Sequence, residues 1–133
     1  MKIQAAVVHQ TGQPFQIEEV ELAEPQFGEC LVKITASGVC HTDEVAQHGY
    51  IPVPLPAVFG HEGCGIVEKV GPGVTDFQPG DRVGFSYGFC GKCENCLSAH
   101  QHACENFNAI NFGGVMPDGT KRLSQNGQPL SSF

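Results

Sequence analysis

The run C-G-K-C-E-N-C-L-S-A-H-Q-H-A-C, residues 90–104, places four cysteines in one short polar loop. The spacers between them are two, two and seven residues long, and such short spacers let neighbouring cysteines fold back onto one ion. Zinc binds four thiolates in a tetrahedron at about 2.3 Å. Because the loop has few large apolar residues besides Leu97, core packing cannot hold it. The spacing predicts a structural zinc site without an open coordination position, formed by Cys90, Cys93, Cys96 and Cys104.

Disulfides, or a redox-active C-x-x-C pair, are the alternative interpretation of this loop. Three closely spaced cysteines followed by a fourth favour a metal site over either. The chain contains seven cysteines, an odd number that suits a reducing compartment better than a disulfide framework. We therefore expect a cytoplasmic metalloprotein.

Composition limits the fold and the partners. A chain of 133 residues is long enough for one domain with a true core, so we expect a single domain over residues 1–133 with a zinc lobe over residues 88–106. The 17 glycines and 9 prolines favour turns and strands. The formal net charge of -7 argues against nucleic acid and anionic membranes as partners. No apolar stretch approaches the roughly 18 residues of a membrane span, and residues 1–10 lack the apolar core of a signal peptide.

Short strand-like segments separated by glycine and proline turns occupy most of the chain. Thr42 is expected to cap a short helix that ends at Gly49, and the three prolines in residues 50–56 predict an extended connection. Residues 113–120 and 127–132 are expected to be turns. The predicted strands cover residues 2–9, 15–22 with a possible bulge at Glu18–Glu19, 30–37, 62–70 and 82–85.

This pattern predicts a mainly β, barrel-like domain with few short helices. No βαβ alternation is present. A dinucleotide fingerprint is absent as well, because Asp76 stands where Gly71-Pro72-Gly73 would need its third glycine.

Cys40 and His61 form a second candidate metal pair. A catalytic zinc site uses three protein ligands and keeps one position open. A cysteine and a histidine 21 positions apart are weak support for such a site, because each is more often a core residue than a ligand.

Several motifs, taken in order, resemble the zinc-containing medium-chain alcohol dehydrogenases. Residues 50–62, Y-I-P-V-P-L-P-A-V-F-G-H-E, are most similar to the aryl-alcohol (benzyl alcohol) dehydrogenase branch. The matching stretches are G-V-C-H-T-D at residues 38–43, G-H-E-G-C-G at 60–65, V-G-P-G-V at 70–74, P-G-D-R-V at 79–83 and the four-cysteine loop.

The resemblance implies a GroES-like fold with a partly open barrel, forming the catalytic domain of a longer enzyme. An NAD-binding Rossmann domain and a third zinc ligand are expected beyond Phe133, so the chain alone is expected to be inactive. Cys40 and His61 match the first two ligands of the catalytic zinc. That zinc would polarise the substrate oxygen and lower the pKa of the alcohol, and hydride would pass to NAD. The substrate is expected to be a small alcohol or aldehyde, and the full-length enzyme a homo-oligomer.

The resemblance also suggests roles for four neighbouring residues. Thr42 matches a hydroxyl beside the zinc-bound oxygen, a use that would compete with helix capping. Val45 stands where many relatives carry a relay histidine, so the proton would leave through water or an external base. The acids Asp43 and Glu62 match second-shell positions, and Glu62 could approach the metal itself. His41 matches a position near the cofactor pyrophosphate; for the acids and His41, a plain surface residue is the alternative.

Other residues and other functions remain open from the sequence. Tyr50, Ile51 and Tyr87 could stack against an aromatic alcohol or simply form barrel core. Cys30 and Cys64 are expected to be small buried hydrophobes. The main alternative function is a stand-alone zinc-stabilised GroES-like binding or scaffold module. A reductase acting on an aldehyde, polyol or formaldehyde-type substrate is a third possibility.

Overall fold

Eight strands form two sheets in the computed structural model, which describes all of Met1–Phe133. Five of them close a barrel in the order β1-β2-β7-β8-β4, and the other three form a separate sheet in the order β3-β5-β6. The strands are β1 (Lys2–Val8), β2 (Gln16–Leu22), β3 (Cys30–Ser37), β4 (Ala57–Phe59), β5 (Gly63–Val70), β6 (Arg82–Gly84), β7 (Leu123–Gln125) and β8 (Gln128–Ser132).

The helices are few and short. Helix α1 (His41–Gln47) connects the three-stranded sheet to the barrel, whereas α2 (Glu94–Leu97) lies within the cysteine-rich loop and α3 (Phe107–Phe112) follows it. A single 3-10 turn covers Gln101–Ala103. None of these helices combines the length and the apolar character that crossing a membrane would require.

Buried residues from three barrel strands form one part of the core. Val7 of β1, Val20 of β2 and Leu130 of β8 pack in one cluster, whereas the next residue of β1, Val8, belongs to a second cluster, because successive side chains of a strand point to opposite faces. The antiparallel register of β1 and β2 runs without interruption from Lys2–Glu21 to Val7–Gln16. The bulge predicted at Glu18–Glu19 is therefore wrong, because the two glutamates pair in regular register.

A second buried cluster fixes helix α1 against the barrel. Ala46 of the helix packs with Val8, Ala57 and Phe59. At its carboxyl end, Gln47 accepts a hydrogen bond from Gly12 N at 2.8 Å and its amide donates to Gln13 O at 2.6 Å. The amino end of α1 is thereby held at one position relative to the barrel.

The three-stranded sheet brings two distant segments of the chain together. Strands β3 and β5 pair antiparallel up to Ser37–Gly63, and Gly38 N donates to Glu62 O at 2.9 Å. Close approach of the strands requires glycine at residue 65, where a Cβ would lie 2.1 Å from Lys33 O. This pairing places residues 38–40 beside residues 61–62.

The mainly β class with few short helices is confirmed, although the barrel is closed rather than partly open. Five strands lie close to their predicted positions, and residues 50–56 form the extended connection expected from their prolines. The prediction of turns over residues 127–132 is wrong, because β8 pairs there with both β7 and β4. Strand β4 and helix α3 were not predicted, since each is too short for a periodic signal.

Candidate metal centres

The four cysteines of residues 90–104, here called the four-cysteine lobe, lie around one point. Their Sγ atoms are all within 4.8 Å of one another, and Cys90 Sγ is 3.9 Å from Cys96 Sγ. A zinc tetrathiolate with bonds of about 2.3 Å has S–S edges of about 3.8 Å. All seven cysteines are free thiols, so the disulfide alternative finds no support. The donor set and its dimensions fit a closed, four-coordinate metal site.

Backbone N–H groups favour a charged sulfur in this lobe. Lys92 N and Cys93 N donate to Cys90 Sγ at 3.5 and 3.3 Å and lower the pKa of this thiol to about 6. Burial raises the pKa of Cys96 to about 12. Because metals bind the thiolate form, the donors around Cys90 prepare it as a ligand.

A second cluster is formed by Cys40, His61 and Glu62. Their ligand atoms lie within 4.8 Å of one another, with Cys40 and His61 half-buried and Glu62 exposed. Cys40 precedes α1, and His61 and Glu62 lie between β4 and β5, so three elements converge here. One thiolate, one imidazole and one carboxylate are a donor set that zinc accepts, and three protein ligands leave a fourth position open.

Asp43 lies behind the imidazole of His61. Asp43 Oδ1 is 3.2 Å from His61 Nδ1, and the two side chains are only 10% and 13% exposed. Neither atom has an aligned hydrogen-bond partner. The other carboxylate oxygen, Oδ2, accepts from Cys40 N at 3.2 Å. With a carboxylate facing Nδ1, the Nε2 atom remains available for a metal. The buried Asp43 carboxylate behind the imidazole therefore fits a zinc ion bound at His61.

Cys40, and not Thr42, is the N-cap of α1. Its sulfur accepts from Thr42 N, and its backbone N–H is bound by Asp43 in a capping box. The prediction that Thr42 caps the helix is therefore wrong, because the N-cap lies two residues earlier, at Cys40, and the helix begins at His41. The Thr42 hydroxyl is left free of that task and lies 3.2 Å from Cys40 Sγ. Helix capping therefore does not compete with proton transfer for the Thr42 hydroxyl.

His41 faces away from this cluster. Its side chain is 80% exposed and its Nδ1 lies 3.0 Å from Glu44 Oε2. His48 is exposed at the other end of α1, with Nδ1 2.9 Å from Glu44 O. Neither histidine belongs to the group of Cys40, His61 and Glu62, and a cofactor contact of His41 stays a prediction.

Aromatic side chains surround His61, and sequence reasoning missed most of them. The Tyr87 ring stacks on the imidazole with centroids 5.2 Å apart, and Phe133 meets it edge-on at 5.0 Å. Phe107 and Phe112 of α3 lie behind Tyr87, at 5.1 and 6.2 Å. The run F-N-A-I-N-F, residues 107–112, which begins three residues after the last lobe cysteine, was the available signal.

The surroundings of Tyr87 act on its phenol. Burial, followed by the negative charges of Cys40, Asp43 and Glu62, raises the pKa of Tyr87 above its ordinary value, while a hydrogen bond with Thr42 opposes the rise. The phenol therefore stays neutral, and a donor of hydrogen bonds, through the physiological range.

The structure changes the expectations for Tyr50 and Cys64 and agrees with the barrel-core alternative for Ile51. Tyr50 is 81% exposed, so it is not barrel core. Cys64 is exposed rather than buried, because it lies on the outward face of β5. Ile51 is half-buried against the cluster that holds α1. Tyr50 and Ile51 also line a cavity of about 530 Å³, together with Pro52, Asn108, Ala109, Phe112 and Gly113.

Comparison with known proteins gives consistent matches over the whole chain. The model of the alcohol dehydrogenase GroES-like domain matches residues 26–122. The S-(hydroxymethyl)glutathione dehydrogenase of Synechocystis sp. is 52% identical over all of this chain and 37% of its own length.

Two solved structures share the fold. An alcohol dehydrogenase zinc-binding domain protein from Burkholderia ambifaria has a TM-score of 0.95 and 45% identity, over 99% of this chain and 36% of that one. The benzyl alcohol dehydrogenase of Acinetobacter calcoaceticus has a TM-score of 0.92 and 42% identity, over 99% of this chain and 35% of that one. The chain thus spans about 37% of the length of the curated relatives that it matches.

Proposed function

Because this chain belongs to the alcohol dehydrogenase GroES-like domain family, we propose that it is the catalytic domain of a zinc- and NAD-dependent alcohol dehydrogenase. The observation that carries the proposal is the convergence of Cys40, His61 and Glu62 within 4.8 Å. This chain spans only 37% of the length of the curated relatives that it matches. The proposal therefore concerns a protein of their length, with NAD bound by a further domain.

The residues of this chain hold the metal and orient the alcohol. Cys40 and His61 would bind zinc together with one further ligand, either Glu62 or the residue expected beyond Phe133, and zinc when bound polarises the substrate oxygen. Asp43, whose Oδ1 lies 3.2 Å from His61 Nδ1, would orient the His61 ring when Nε2 binds the metal. The lobe would hold a second zinc with a purely structural role, as its four thiolates leave no open position.

Thr42 is placed to handle the proton of the alcohol. Its hydroxyl lies 3.2 Å from Cys40 Sγ and can both accept and donate a hydrogen bond. Three residues further along α1 stands Val45, which cannot carry a proton. We therefore propose that the proton passes from Thr42 to solvent rather than along the helix.

An aryl alcohol is the substrate that the surroundings support best. The 530 Å³ cavity is lined by seven residues, among them Tyr50, Ile51 and Phe112, and none of the seven carries a charge. Phe112 continues into the aromatic group that surrounds His61. Flat aromatic rings stack favourably on such walls. The similarity to the benzyl alcohol dehydrogenase supports the same choice.

The second candidate substrate is a formaldehyde adduct of glutathione. It is favoured by the 52% identity to an S-(hydroxymethyl)glutathione dehydrogenase. That adduct carries carboxylates, for which an uncharged cavity offers no partner. Comparing kcat/KM for benzyl alcohol and for S-(hydroxymethyl)glutathione decides between the two, and we expect the ratio to favour benzyl alcohol.

The function is tested by zinc content and NAD reduction in a protein of the relatives' length that contains this chain. Cys40→Ser should lower kcat/KM at least about 1000-fold, because the metal loses a ligand for the reacting oxygen. Cys64→Ser is the matched control, since Cys64 is exposed and outside both clusters, and it should leave the rate unchanged. If the zinc-loaded protein does not reduce NAD with any of the alcohols tested, the enzyme proposal is contradicted and the binding-module alternative is supported.

A further inference from the structure

We propose that the four-cysteine lobe positions the imidazole of His61 through Tyr87 and helix α3, so that metal in the lobe strengthens metal binding at Cys40 and His61. The inference rests on the proposed role of His61 as a zinc ligand. It assigns positioning roles to Tyr87 and Asn111, two residues outside either ligand set.

The His61 ring is held on three sides. Tyr87 covers one face in a stacked arrangement, with 22° between the planes, and Phe133 contacts the ring at 74°. The Asp43 carboxylate lies 3.2 Å from Nδ1. With these neighbours in place the plane of the imidazole is determined, and so is the direction of Nε2. Moving Tyr87 would release one face of the ring.

Helix α3 in turn supports Tyr87. Phe107 meets the phenol ring edge-on at 5.1 Å and also contacts Phe112, at 5.9 Å. Phe112 stacks on Phe133 at 5.4 Å. The two neighbours that cover His61 are therefore both backed by the same six-residue helix, and a shift of α3 reaches the imidazole through each.

Asn111 fastens the backbone beside Tyr87 to α3. Its Oδ1 accepts from Gly88 N at 2.7 Å, and its Nδ2 donates to Gly88 O at 3.0 Å and to Phe107 O at 2.9 Å. Glycine is needed at residue 88, where a Cβ would lie 2.9 Å from the Ile110 side chain. The Asn111 side-chain amide thus forms hydrogen bonds with both the N–H and the C=O of Gly88 and holds this residue against α3.

Both ends of the lobe join this assembly directly. Cys90, the first lobe cysteine, follows Tyr87 by three residues, and Phe107 N donates to Cys104 O at 3.0 Å. Helix α3 has no side-chain cap and buries none of its residues. A helix of six residues is not stable alone. Its position therefore depends on the lobe at one end and on Asn111 at the other.

The first experiment follows His61 by NMR in the full chain with labelled histidine. The Cys40→Ser background confines the first equivalent of Zn²⁺ to the lobe, and His61→Gln identifies the His61 signals among those of six histidines. We expect one equivalent of Zn²⁺ to sharpen and shift the His61 ring signals, because the Tyr87 ring current acts on a fixed imidazole. Unchanged His61 signals while the lobe fills would overturn the proposal.

Asn111→Ala and Asn108→Ala form a matched pair for the second experiment. Asn108 lies in the same helix but is exposed and makes no side-chain hydrogen bond. With Cys40 present and the lobe filled, Asn111→Ala should weaken Zn²⁺ binding at Cys40 and His61 about 10-fold, as is usual when a positioning contact of a ligand is lost. Asn108→Ala should not. Equal affinities in the two variants would contradict the role of Asn111.

Tyr87→Phe and Tyr87→Leu separate the aromatic contact from the hydroxyl. Phenylalanine keeps the stack on His61 and should retain both the NMR shift and the Zn²⁺ affinity, whereas leucine should lose them. If both variants lose the NMR shift and the Zn²⁺ affinity equally, the stacked aromatic ring does not position His61. None of these measurements uses NAD or an alcohol, so they stand apart from the test of the enzyme proposal.

Discussion

Gly38 allows the Glu62 carboxylate to lie beside Cys40. A Cβ at residue 38 would come within 2.1 Å of Glu62 Oε2 and 3.1 Å of its Cβ. The backbone dihedral of Gly38 is not in the left-handed region, so space, and not conformational freedom, is the reason for glycine here. Glu62 can then contribute to the cluster with Cys40 and His61.

We expect Gly38→Ala to weaken Zn²⁺ binding at Cys40 and His61 about 10-fold, because the added methyl group displaces the Glu62 carboxylate. Competition with a chromophoric chelator, after the lobe is filled, measures the affinity. Gly84→Ala is the control, since a Cβ at residue 84 meets no atom within 4 Å. If Gly38→Ala binds as tightly as the unchanged protein, Glu62 does not contribute to the site.

Between elements, Arg122 connects the barrel to the three-stranded sheet. It precedes β7 and its guanidinium binds Glu29, which precedes β3, at 2.9 and 2.7 Å. The two side chains are only 13% and 18% exposed. The Arg122 guanidinium holds the pKa of Glu29 below its ordinary value of 4.5. A bidentate pair shielded from water is stronger than an exposed one.

Glu29→Gln should lower the free energy of unfolding by about 1 kcal/mol at pH 7. The folded-state pKa of Glu29 is depressed, so its contribution is present above about pH 4.5 and is lost as the pH falls below that value. Urea unfolding at pH 7 and pH 3.5 should therefore show a difference between the two proteins that shrinks in acid. A pH-independent difference would show that packing, and not charge, is lost.

Glu24→Gln provides the comparison for the Arg122 pair. Glu24 forms an ion pair with Lys69, and these side chains are 62% and 58% exposed. Exposed pairs contribute little because water and salt screen them. We expect no measurable change in unfolding for this variant at either pH.

At the scale of the molecule, the buried core is small. Only 17 of 133 residues are buried, and the large side chains of Phe27, Tyr50 and Leu97 are at least 75% exposed. The four-cysteine lobe contributes no apolar residue to either core cluster. Packing therefore does not hold this lobe, and we expect its folding to be coupled to metal binding by the four cysteines.

Removing metal with a chelator under reducing conditions should destabilise the whole chain. Free zinc at 100 times the dissociation constant contributes about 2.7 kcal/mol, so the midpoint of thermal unfolding should fall by about 10 °C. Elemental analysis and calorimetry before and after chelation provide the measurement. Cys96→Ser should reproduce the loss and Cys64→Ser should not; identical melting of all four samples would exclude a metal-stabilised lobe.

Much of the fold and of the candidate metal sites could be predicted from the sequence. The spacing of Cys90, Cys93, Cys96 and Cys104 indicated one compact cluster, because short spacers leave few ways to arrange four side chains. Apolar and polar alternation located β2, strand-favouring residues between turns located β1 and β3, and the prolines before residue 57 located an extended connection. The resemblance of the motifs indicated the family. Each of these signals lies within one short segment of the chain, so it can be recognised without knowing which other segments that one contacts in the fold.

Contacts between distant residues required the tertiary structure. Nothing in the order of residues places Phe133 and Tyr87 on either side of His61, and the weak pair of Cys40 and His61 became a cluster only through the pairing of β3 with β5. Strand β8 exists because β7 and β4 offer it two partners, although its own residues favour turns. Sequence patterns report what a segment prefers by itself, whereas register and packing depend on partners that only the folded chain brings into contact.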